Sequence, residues 1–126
     1  MSPRVLIVDD EPSIVTGLRV FLEDEGMQVG SASSGEEAVD IARNDCSFDV
    51  CIMDIRLPGM NGNTAIRALH EICPLLKFII HTGSAEYSIP DDLRAMGIDE
   101  RLFFAKPVID MTPLSETVAA LAIGRV

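Results

Sequence analysis

The sequence predicts an α/β protein in which a parallel sheet of five strands is covered on both faces by five helices. Short apolar runs alternate along the chain with segments whose apolar residues recur at helical spacing. Strands that are apolar along their whole length are typical of a parallel sheet buried on both faces. The 126 residues are enough for one domain with its own core. We therefore expect a single domain, residues 1–126, with no output domain after its last helix.

The first part of the chain contains two pairs of strand and helix. The first strand is predicted over residues 4–9, and the helix after it runs from about Pro12, a residue suited to a first turn, to Gly26. A short second strand is predicted over residues 28–32. Ser34 and Glu37 have the spacing of a capping box, which indicates the start of the second helix.

The middle of the chain continues the same alternation. The third strand is the apolar run at residues 50–53, which ends at Asp54 and is followed by a proline-glycine loop. The third helix must end before Pro74, because the residue before a proline disfavours helical backbone. The fourth strand is predicted over residues 77–82.

The structural signals are weaker after residue 82. Pro90 delays the start of the fourth helix and Gly97 ends it after about two turns, so this helix should be short. A fifth strand is predicted over residues 102–105. Thr112 as a cap and Pro113 in the first turn indicate the start of the last helix.

Composition argues against several classes of protein. Acidic residues outnumber basic ones by 20 to 10, and the net charge of −10 disfavours direct binding of nucleic acid. Apolar stretches are only a few residues long, whereas a membrane helix needs about 20. We therefore expect a soluble, cytoplasmic protein with no membrane partner. Cys46, Cys51 and Cys73 are expected to be reduced, structural thiols, because disulfides are rare in the cytosol.

Charged and polar residues follow the predicted strands at one edge of the sheet. In doubly wound sheets, ligands bind beyond the carboxyl ends of the strands. A strand order of 2-1-3-4-5 would place strands one and three side by side, so that three carboxylates converge. Carboxylates in close contact recruit a cation, and an all-oxygen cluster suits Mg²⁺ better than zinc. The residues at this edge are Asp9, Asp10, Asp54, Thr82 and Lys106.

This set of groups has the chemistry of phosphoryl transfer. A lysine ammonium and a threonine hydroxyl that face a metal ion can hold the oxygens of a phosphoryl group. Asp54 would then be the nucleophile. Asp10 or Glu11 could instead cap the first helix, and an aspartate before a proline-glycine turn is ordinary. Neither alternative explains why all five groups lie at one edge of one sheet.

The sequence resembles the receiver domains of two-component response regulators along its whole length. The resemblance rests on features in a fixed order, which are Asp9-Asp10, Asp54 before the loop 58–62, Thr82-Gly83 and Lys106-Pro107. It implies a flavodoxin-like (βα)₅ fold with strand order 2-1-3-4-5. It also implies that Asp54 accepts a phosphoryl group from a sensor histidine kinase or a histidine phosphotransfer protein. Such a domain is not an enzyme, although it can take phosphoryl groups from small donors and lose them slowly.

The resemblance also assigns a role to each site residue. Mg²⁺ or Mn²⁺ would be held by Asp9, Asp10, Asp54 and the backbone carbonyl of Arg56. The phosphoryl oxygens would be bound by Thr82, Gly83 and Lys106, and the bond before Pro107 is expected to be cis. Arg56 and Ser84 occupy positions thought to influence hydrolysis in the family. The switch would consist of Thr82, which moves toward the phosphoryl group, and Phe103, which fills the space behind it.

Departures from the family pattern lie at the output end. The segment from Gly97 to Lys106 is about two residues longer than usual, and Val108 stands where phenylalanine is common. Phe103 lacks the hydroxyl of the tyrosine expected in many members. The signal is expected to leave through the face formed by the fourth helix, fifth strand and fifth helix. Its altered surface predicts a divergent downstream protein, which the sequence does not identify.

Two other functions compete with this one. A degenerate receiver domain would bind partners constitutively, but such domains usually lack one of the acids or the lysine, and all are present here. A phosphohydrolase of the haloacid dehalogenase type needs an Asp-x-Asp motif after its first strand, whereas these acids are adjacent. Of the two histidines, His81 is expected to be packed or partly exposed rather than a ligand, and His70 to lie on the surface.

Overall fold

The computed structural model describes residues 2–84 and 86–124 and contains a single parallel sheet. The strand order is β2-β1-β3-β4-β5, which confirms the predicted topology. Val8 pairs with both Ala32 and Met53, so β1 and β3 lie side by side at the centre. The strands are β1 (Arg4–Val8), β2 (Gln28–Ala32), β3 (Val50–Met53), β4 (Lys77–Thr82) and β5 (Phe103–Ala105).

Helices cover both faces of this sheet, as predicted. Among the described residues, no helix is long and apolar enough to span a membrane. A 3₁₀ turn at Glu100–Leu102 precedes β5. The helices are α1 (Pro12–Asp24), α2 (Gly35–Asn44), α3 (Gly62–Ile72), α4 (Asp91–Ala95) and α5 (Thr112–Ala122).

The alternation of side chains along the strands produces two apolar cores. On one face, Leu6 and Val8 of β1 pack with residues of α2, α3 and α4. On the other face, Val5 and Ile7 pack with residues of α1 and α5. Val50 and Ile52 of β3 share this second core, whereas Cys51 and Met53 face the first. Because both faces are covered, β3 and residues 5–8 of β1 are apolar, as the sequence indicates.

The predicted start of α2 is confirmed with one different contact, and the predicted cap of α5 is wrong. Ser34 caps α2 and accepts a hydrogen bond from the Glu37 amide at 3.0 Å, but the Glu37 carboxylate returns to Ser33 rather than to Ser34. The prediction that Thr112 caps α5 is wrong, because Thr112 is already helical. Its amide donates to the Asp110 carboxylate at 3.0 Å, so Asp110 supplies the acceptor at this end.

The region around α4 and β5 is shorter in regular structure than the sequence suggests. α4 contains five residues, fewer than the two turns predicted. Leu102 belongs to the 3₁₀ turn and not to β5, which begins at Phe103. The Asp99 carboxylate accepts from the Arg101 amide at 2.9 Å, which stabilises the turn and accommodates the additional residues before β5.

The prediction of three reduced cysteines is wrong for two of them. Cys46 and Cys73 form a disulfide, and their Cα atoms lie 5.5 Å apart. The cysteines are separated by 27 residues in sequence but meet because the ends of α2 and α3 are neighbours. Cys51 is a free, buried thiol in β3, as expected for a small apolar residue.

Two helical glycines give opposite predictions for substitution by alanine. In Gly62→Ala, the new Cβ would overlap the Asp54 carbonyl oxygen and would lie 2.7 Å from the Ile55 Cα. We expect the free energy of unfolding to fall by at least about 2 kcal/mol, because backbone must move. In Gly17→Ala the Cβ would meet nothing within 4 Å. Here we expect a gain of up to about 1 kcal/mol from helix propensity.

Urea denaturation followed by circular dichroism measures both effects. Gly17→Ala is the matched control, because it makes the same chemical change in a helix without the backbone overlap. A Gly62→Ala protein as stable as the wild type would contradict the close approach of α3 to the loop after β3.

Candidate functional site

The register of the sheet brings four polar side chains to one edge. The Asp54 amide donates to the Val8 carbonyl at 3.0 Å, which places Asp54 beside the end of β1. The Lys106 amide donates to the Thr82 carbonyl at 2.9 Å, which places Lys106 beside the end of β4. Asp9 follows Val8 directly and its amide donates to Ala32 at 3.1 Å. The backbone alone therefore gathers these residues at the carboxyl edge of the sheet.

Lys106 is the centre of an ionic cluster at this edge. Its ammonium nitrogen lies 2.7 Å from a carboxylate oxygen of Asp9, 3.1 Å from one of Asp54 and 3.0 Å from one of Glu11. Asp9 and Asp54 are only 3% and 4% exposed, so they lie where an unpaired charge is costly. Sequence reasoning did not assign Glu11 to the site. Its place directly after Asp9-Asp10 is the signal that could have found it.

Burial and neighbouring charges oppose one another at Asp54. Burial raises the pKa of the Asp54 carboxyl group above its ordinary value, and the charge of Asp9 acts in the same direction. The ammonium of Lys106 and the Arg56 amide lower it but do not cancel the increase. For Lys106, burial lowers the pKa, but hydrogen bonds to Asp9, Glu11 and Asp54 outweigh it and hold the pKa above its usual range. The carboxylate is therefore destabilised and the ammonium stabilised.

The acidic residues at this edge can hold a metal ion. One carboxylate oxygen from each of four acids lies within 4.8 Å of the others. Asp9 and Asp54 are buried, whereas Asp10 and Glu11 face solvent. An arrangement of oxygen donors with two solvent-facing members fits a hard, partly hydrated cation such as Mg²⁺. These acids are Asp9, Asp10, Glu11 and Asp54.

Hydrogen bonds donated by main-chain amides hold the loop after β3 in place. The Asp54 carboxylate accepts from the Arg56 amide at 3.2 Å, and the Gly62 amide donates to the Ile55 carbonyl at 2.9 Å. The Glu36 carboxylate of α2 accepts from the Met60 amide at 3.1 Å. These contacts fix the backbone on which Asp54 sits.

Arg56 and Ser84 meet across the opening of the site. The guanidinium of Arg56 donates to the Ser84 hydroxyl at 3.2 Å, and Arg56 is exposed. Thr82 is 1% exposed, and its hydroxyl accepts from the Ser84 amide at 3.3 Å. Gly83 is exposed beside Lys106, and the Lys106–Pro107 peptide bond is cis. The residues named from the sequence thus lie at the carboxyl edge of the sheet, except Phe103, which packs against the first core, and Pro107, which lines a separate cavity.

Phe103 is half-buried and lies against an aromatic residue that sequence reasoning did not single out. Its ring stacks on Tyr87 with centroids 6.0 Å apart and an interplanar angle of 8°. The Tyr87 hydroxyl donates to the Asn63 side chain in α3 at 2.7 Å. One turn further along α3, Arg67 forms a two-pronged ion pair with Asp92 of α4 at 2.6 and 3.1 Å. The β4–α4 loop and α4 are thus both joined to α3.

Comparisons with known proteins identify the fold and the family. Residues 5–119 match the family described as Response regulator receiver domain. A solved response regulator receiver domain protein (CheY-like) from Methanospirillum hungatei superposes with a TM-score of 0.85 at 29% identity, over 99% of this chain and 97% of that one. Protein TrrA of Thermotoga maritima, solved in complex with Mg(2+)-BeF, has a TM-score of 0.78 at 29% identity over 94% and 98%.

Curated relatives are of several lengths. Protein PilH of Pseudomonas aeruginosa is 36% identical over 94% of this chain and 98% of its own length. Response regulator GacA of the same organism is 38% identical over 75% of this chain, which spans 44% of GacA. Sensor kinase CckA of Brucella abortus is 32% identical over 93% of this chain and 12% of its own length. The matched part of this chain therefore covers less than half the length of several curated relatives.

The buried acids, the lysine that contacts them and the parallel sheet that presents them agree with the family match over residues 5–119. The chain belongs to the response regulator receiver domains, which are signalling domains of two-component systems.

Proposed function

We propose that Asp54 accepts a phosphoryl group from the phosphohistidine of a sensor histidine kinase or a histidine phosphotransfer protein. The observation that carries this proposal is the contact between the buried Asp54 carboxylate and Lys106 at 3.1 Å, within a cluster of further acids. A carboxylate oxygen attacks phosphorus, an O–P bond forms, and the P–N bond to histidine breaks. The electron pair of that bond stays on the imidazole nitrogen, which can then bind a proton from solvent.

The surroundings of Asp54 fit this reaction. Asp9, Asp10, Asp54 and the carbonyl of Arg56 would hold Mg²⁺ or Mn²⁺, which would offset the charge of the acids and of the incoming phosphoryl group. Lys106 already lies beside Asp54, so a phosphoryl group joined there would be next to a positive charge. Thr82 ends the neighbouring strand β4 and Gly83 follows it, and the Thr82 hydroxyl and the Gly83 amide would donate to the phosphoryl oxygens.

The proposed signal starts with the movement of Thr82 toward the phosphoryl oxygens. Thr82 and Phe103 lie on adjacent strands, since Ile80 pairs with Phe103 and Thr82 with Ala105. Phe103 packs against the first core and stacks on Tyr87. A change at Thr82 would therefore reach Phe103, then the β4–α4 loop and the surface of α4, β5 and α5. An unidentified protein would dock on that surface.

The first prediction concerns the acceptor itself. Incubation with Mg²⁺ and acetyl phosphate should add one phosphoryl group to the wild-type protein and none to Asp54→Ala, as recorded by intact mass. Removal of divalent metal by EDTA should suppress the adduct, because the clustered acids would then repel the phosphoryl oxygens. Asp40→Asn is the control, since Asp40 is an exposed acid on α2 that contacts only Arg43 among the pairs described.

A folded protein that binds Mg²⁺ but never gains phosphoryl mass would contradict this proposal. Beryllofluoride, which imitates a phosphoryl group on a carboxylate, provides a second readout in an NMR fingerprint. Absence of both the adduct and the spectral change would favour the alternative, a degenerate receiver domain that binds partners constitutively.

The second prediction concerns the lifetime of the phosphoryl group. Arg56 is exposed and its guanidinium donates to the Ser84 hydroxyl, and we expect this pair to limit the access of water to a phosphoryl group on Asp54. Arg56→Ala should therefore lose the phosphoryl group several-fold faster than the wild type, and Ser84→Ala should show a smaller change in the same direction. The decay of phosphorylated mass with time after donor removal measures the rate. Arg43→Ala, which removes an exposed arginine from α2, should leave it unchanged.

The third prediction separates Phe103 from its neighbour Phe104. Both are half-buried in β5, but Phe103 packs against the first core and Phe104 against the second. In Phe103→Ala, beryllofluoride should no longer shift the amide signals of Tyr87 and Ile89 in the β4–α4 loop. The shifts should persist in Phe104→Ala, the matched control. Equal shifts in wild type and Phe103→Ala would remove Phe103 from the proposed switch.

A further inference from the structure

The ammonium group of Lys106 has one carboxylate for each of its three hydrogens. Its nitrogen lies 2.7 Å from an oxygen of Asp9, 3.0 Å from one of Glu11 and 3.1 Å from one of Asp54. A lysine ammonium has three donors and no acceptor. A phosphoryl oxygen that binds Lys106 would therefore take the place of one of these three carboxylates.

Two of the three acids are held by main-chain donors as well as by Lys106. The Glu11 amide donates to the Asp9 carboxylate at 3.0 Å, and the Arg56 amide donates to the Asp54 carboxylate at 3.2 Å. The side chains of Asp9 and Asp54 are almost completely buried. Separating either of them from Lys106 would leave a buried charge without its nearest cation, which is costly.

The Glu11 carboxylate is held by Lys106 alone. The Glu11 side chain is 57% exposed, and within residues 2–84 and 86–124 Lys106 is its only hydrogen-bond and ion-pair partner. Water can replace the ammonium around a carboxylate that is so exposed, and ion pairs of this kind contribute little to stability. Of the three acids, Glu11 therefore leaves Lys106 at the lowest cost.

The place of Glu11 at the start of α1 also connects its side chain with the site. Glu11 is the N-cap residue of this helix, but its side chain makes no capping hydrogen bond. Glutamate is not among the residues preferred at an N-cap. The side chain instead reaches Lys106. After release, its carboxylate would stay near the first turn of α1, where the helix dipole favours a negative charge.

We propose that Glu11 is a positioning residue that occupies the place of a phosphoryl oxygen on Lys106 until Asp54 is phosphorylated. This inference rests on the proposed function of Asp54. Phosphorylation would exchange the Glu11 contact of Lys106 for a phosphoryl oxygen, while the buried acids keep their main-chain donors. Because this exchange breaks the contact between Glu11 and Lys106, Glu11 lowers the affinity of the site for a phosphoryl group.

The test is an NMR titration of the whole chain with beryllofluoride at saturating Mg²⁺. Glu11→Asp keeps the negative charge but shortens the side chain by one methylene, so it should no longer reach Lys106. We expect this variant to bind beryllofluoride roughly three- to tenfold more tightly than the wild type, which corresponds to the loss of one competing hydrogen bond. Aspartate is preferred at an N-cap, so Glu11→Asp should fold.

Other variants separate the contact from the charge. Glu11→Ala removes both and should also bind beryllofluoride more tightly. Asp24→Asn is the control for net charge, because Asp24 is an exposed acid at the other end of α1, and it should leave the affinity unchanged. Tighter binding by Glu11→Ala with no change in Glu11→Asp would assign the effect to charge and overturn the proposal.

The carbon signal of the Glu11 side-chain carboxyl group reports the exchange directly. In the wild type this signal should shift when beryllofluoride binds, whereas that of Glu71, an exposed acid on α3, should not. A titration with Mg²⁺ alone tests whether Glu11 is instead a metal ligand. Glu11→Asp should bind Mg²⁺ as the wild type does, and a loss of Mg²⁺ affinity would overturn the positioning role.

The two proposals fail in different ways. A wild-type protein that binds no beryllofluoride would overturn the phosphoacceptor function and this inference with it. Binding by the wild type with the same affinity in Glu11→Asp and Glu11→Ala would overturn this inference alone. A carboxyl signal of Glu11 that does not shift when beryllofluoride binds would do the same.

Discussion

The concentration of negative charge at the carboxyl ends of β1 and β3 is the constraint on which the site depends. Because these strands are adjacent, Asp9 and Asp54 are brought together by backbone pairing before any side chain contributes. Both are buried, and the charge of Asp9 adds to the cost of ionising Asp54. Lys106 offsets that cost by contacting both acids and Glu11. Lys106 directly follows the short edge strand β5, so the position of β5 affects the charge balance of the site.

Much of this arrangement follows from the sequence because it depends on where strands end. Apolar runs that stop at Asp54, Thr82 and Lys106 fix those residues at one edge once the strand order is known. Contacts that depend on how helices and loops pack are harder to predict from the sequence. The meeting of Cys46 and Cys73 follows from the neighbouring ends of α2 and α3, and cysteine composition contains no information about it. Glu11 reaches Lys106 from a loop, and its own position predicts a helix cap equally well.

The hydroxyl group that Phe103 lacks is present on the aromatic residue that stacks against it. Phe103 has no hydroxyl, but Tyr87 stacks on it and donates its own hydroxyl to Asn63 of α3. Asn63 and Arg67 are four residues apart and share one face of α3, so the loop and α4 are joined to the same surface. A helix of five residues has few internal hydrogen bonds, and such contacts largely determine where it lies. Movement of Phe103 would act on α4 through this ring and these two contacts.

The end of β4 faces two environments that one backbone segment joins. Thr82 lies on the same face of β4 as Ile80 of the first core, while His81 lines a cavity beside α1 on the opposite face. Pro107, which also lines the cavity, directly follows Lys106. Burial and the charge of Lys106 both lower the pKa of the His81 imidazole, so this histidine is uncharged at neutral pH. The lysine that balances the charge of the buried acids therefore also acts on the other face of β4.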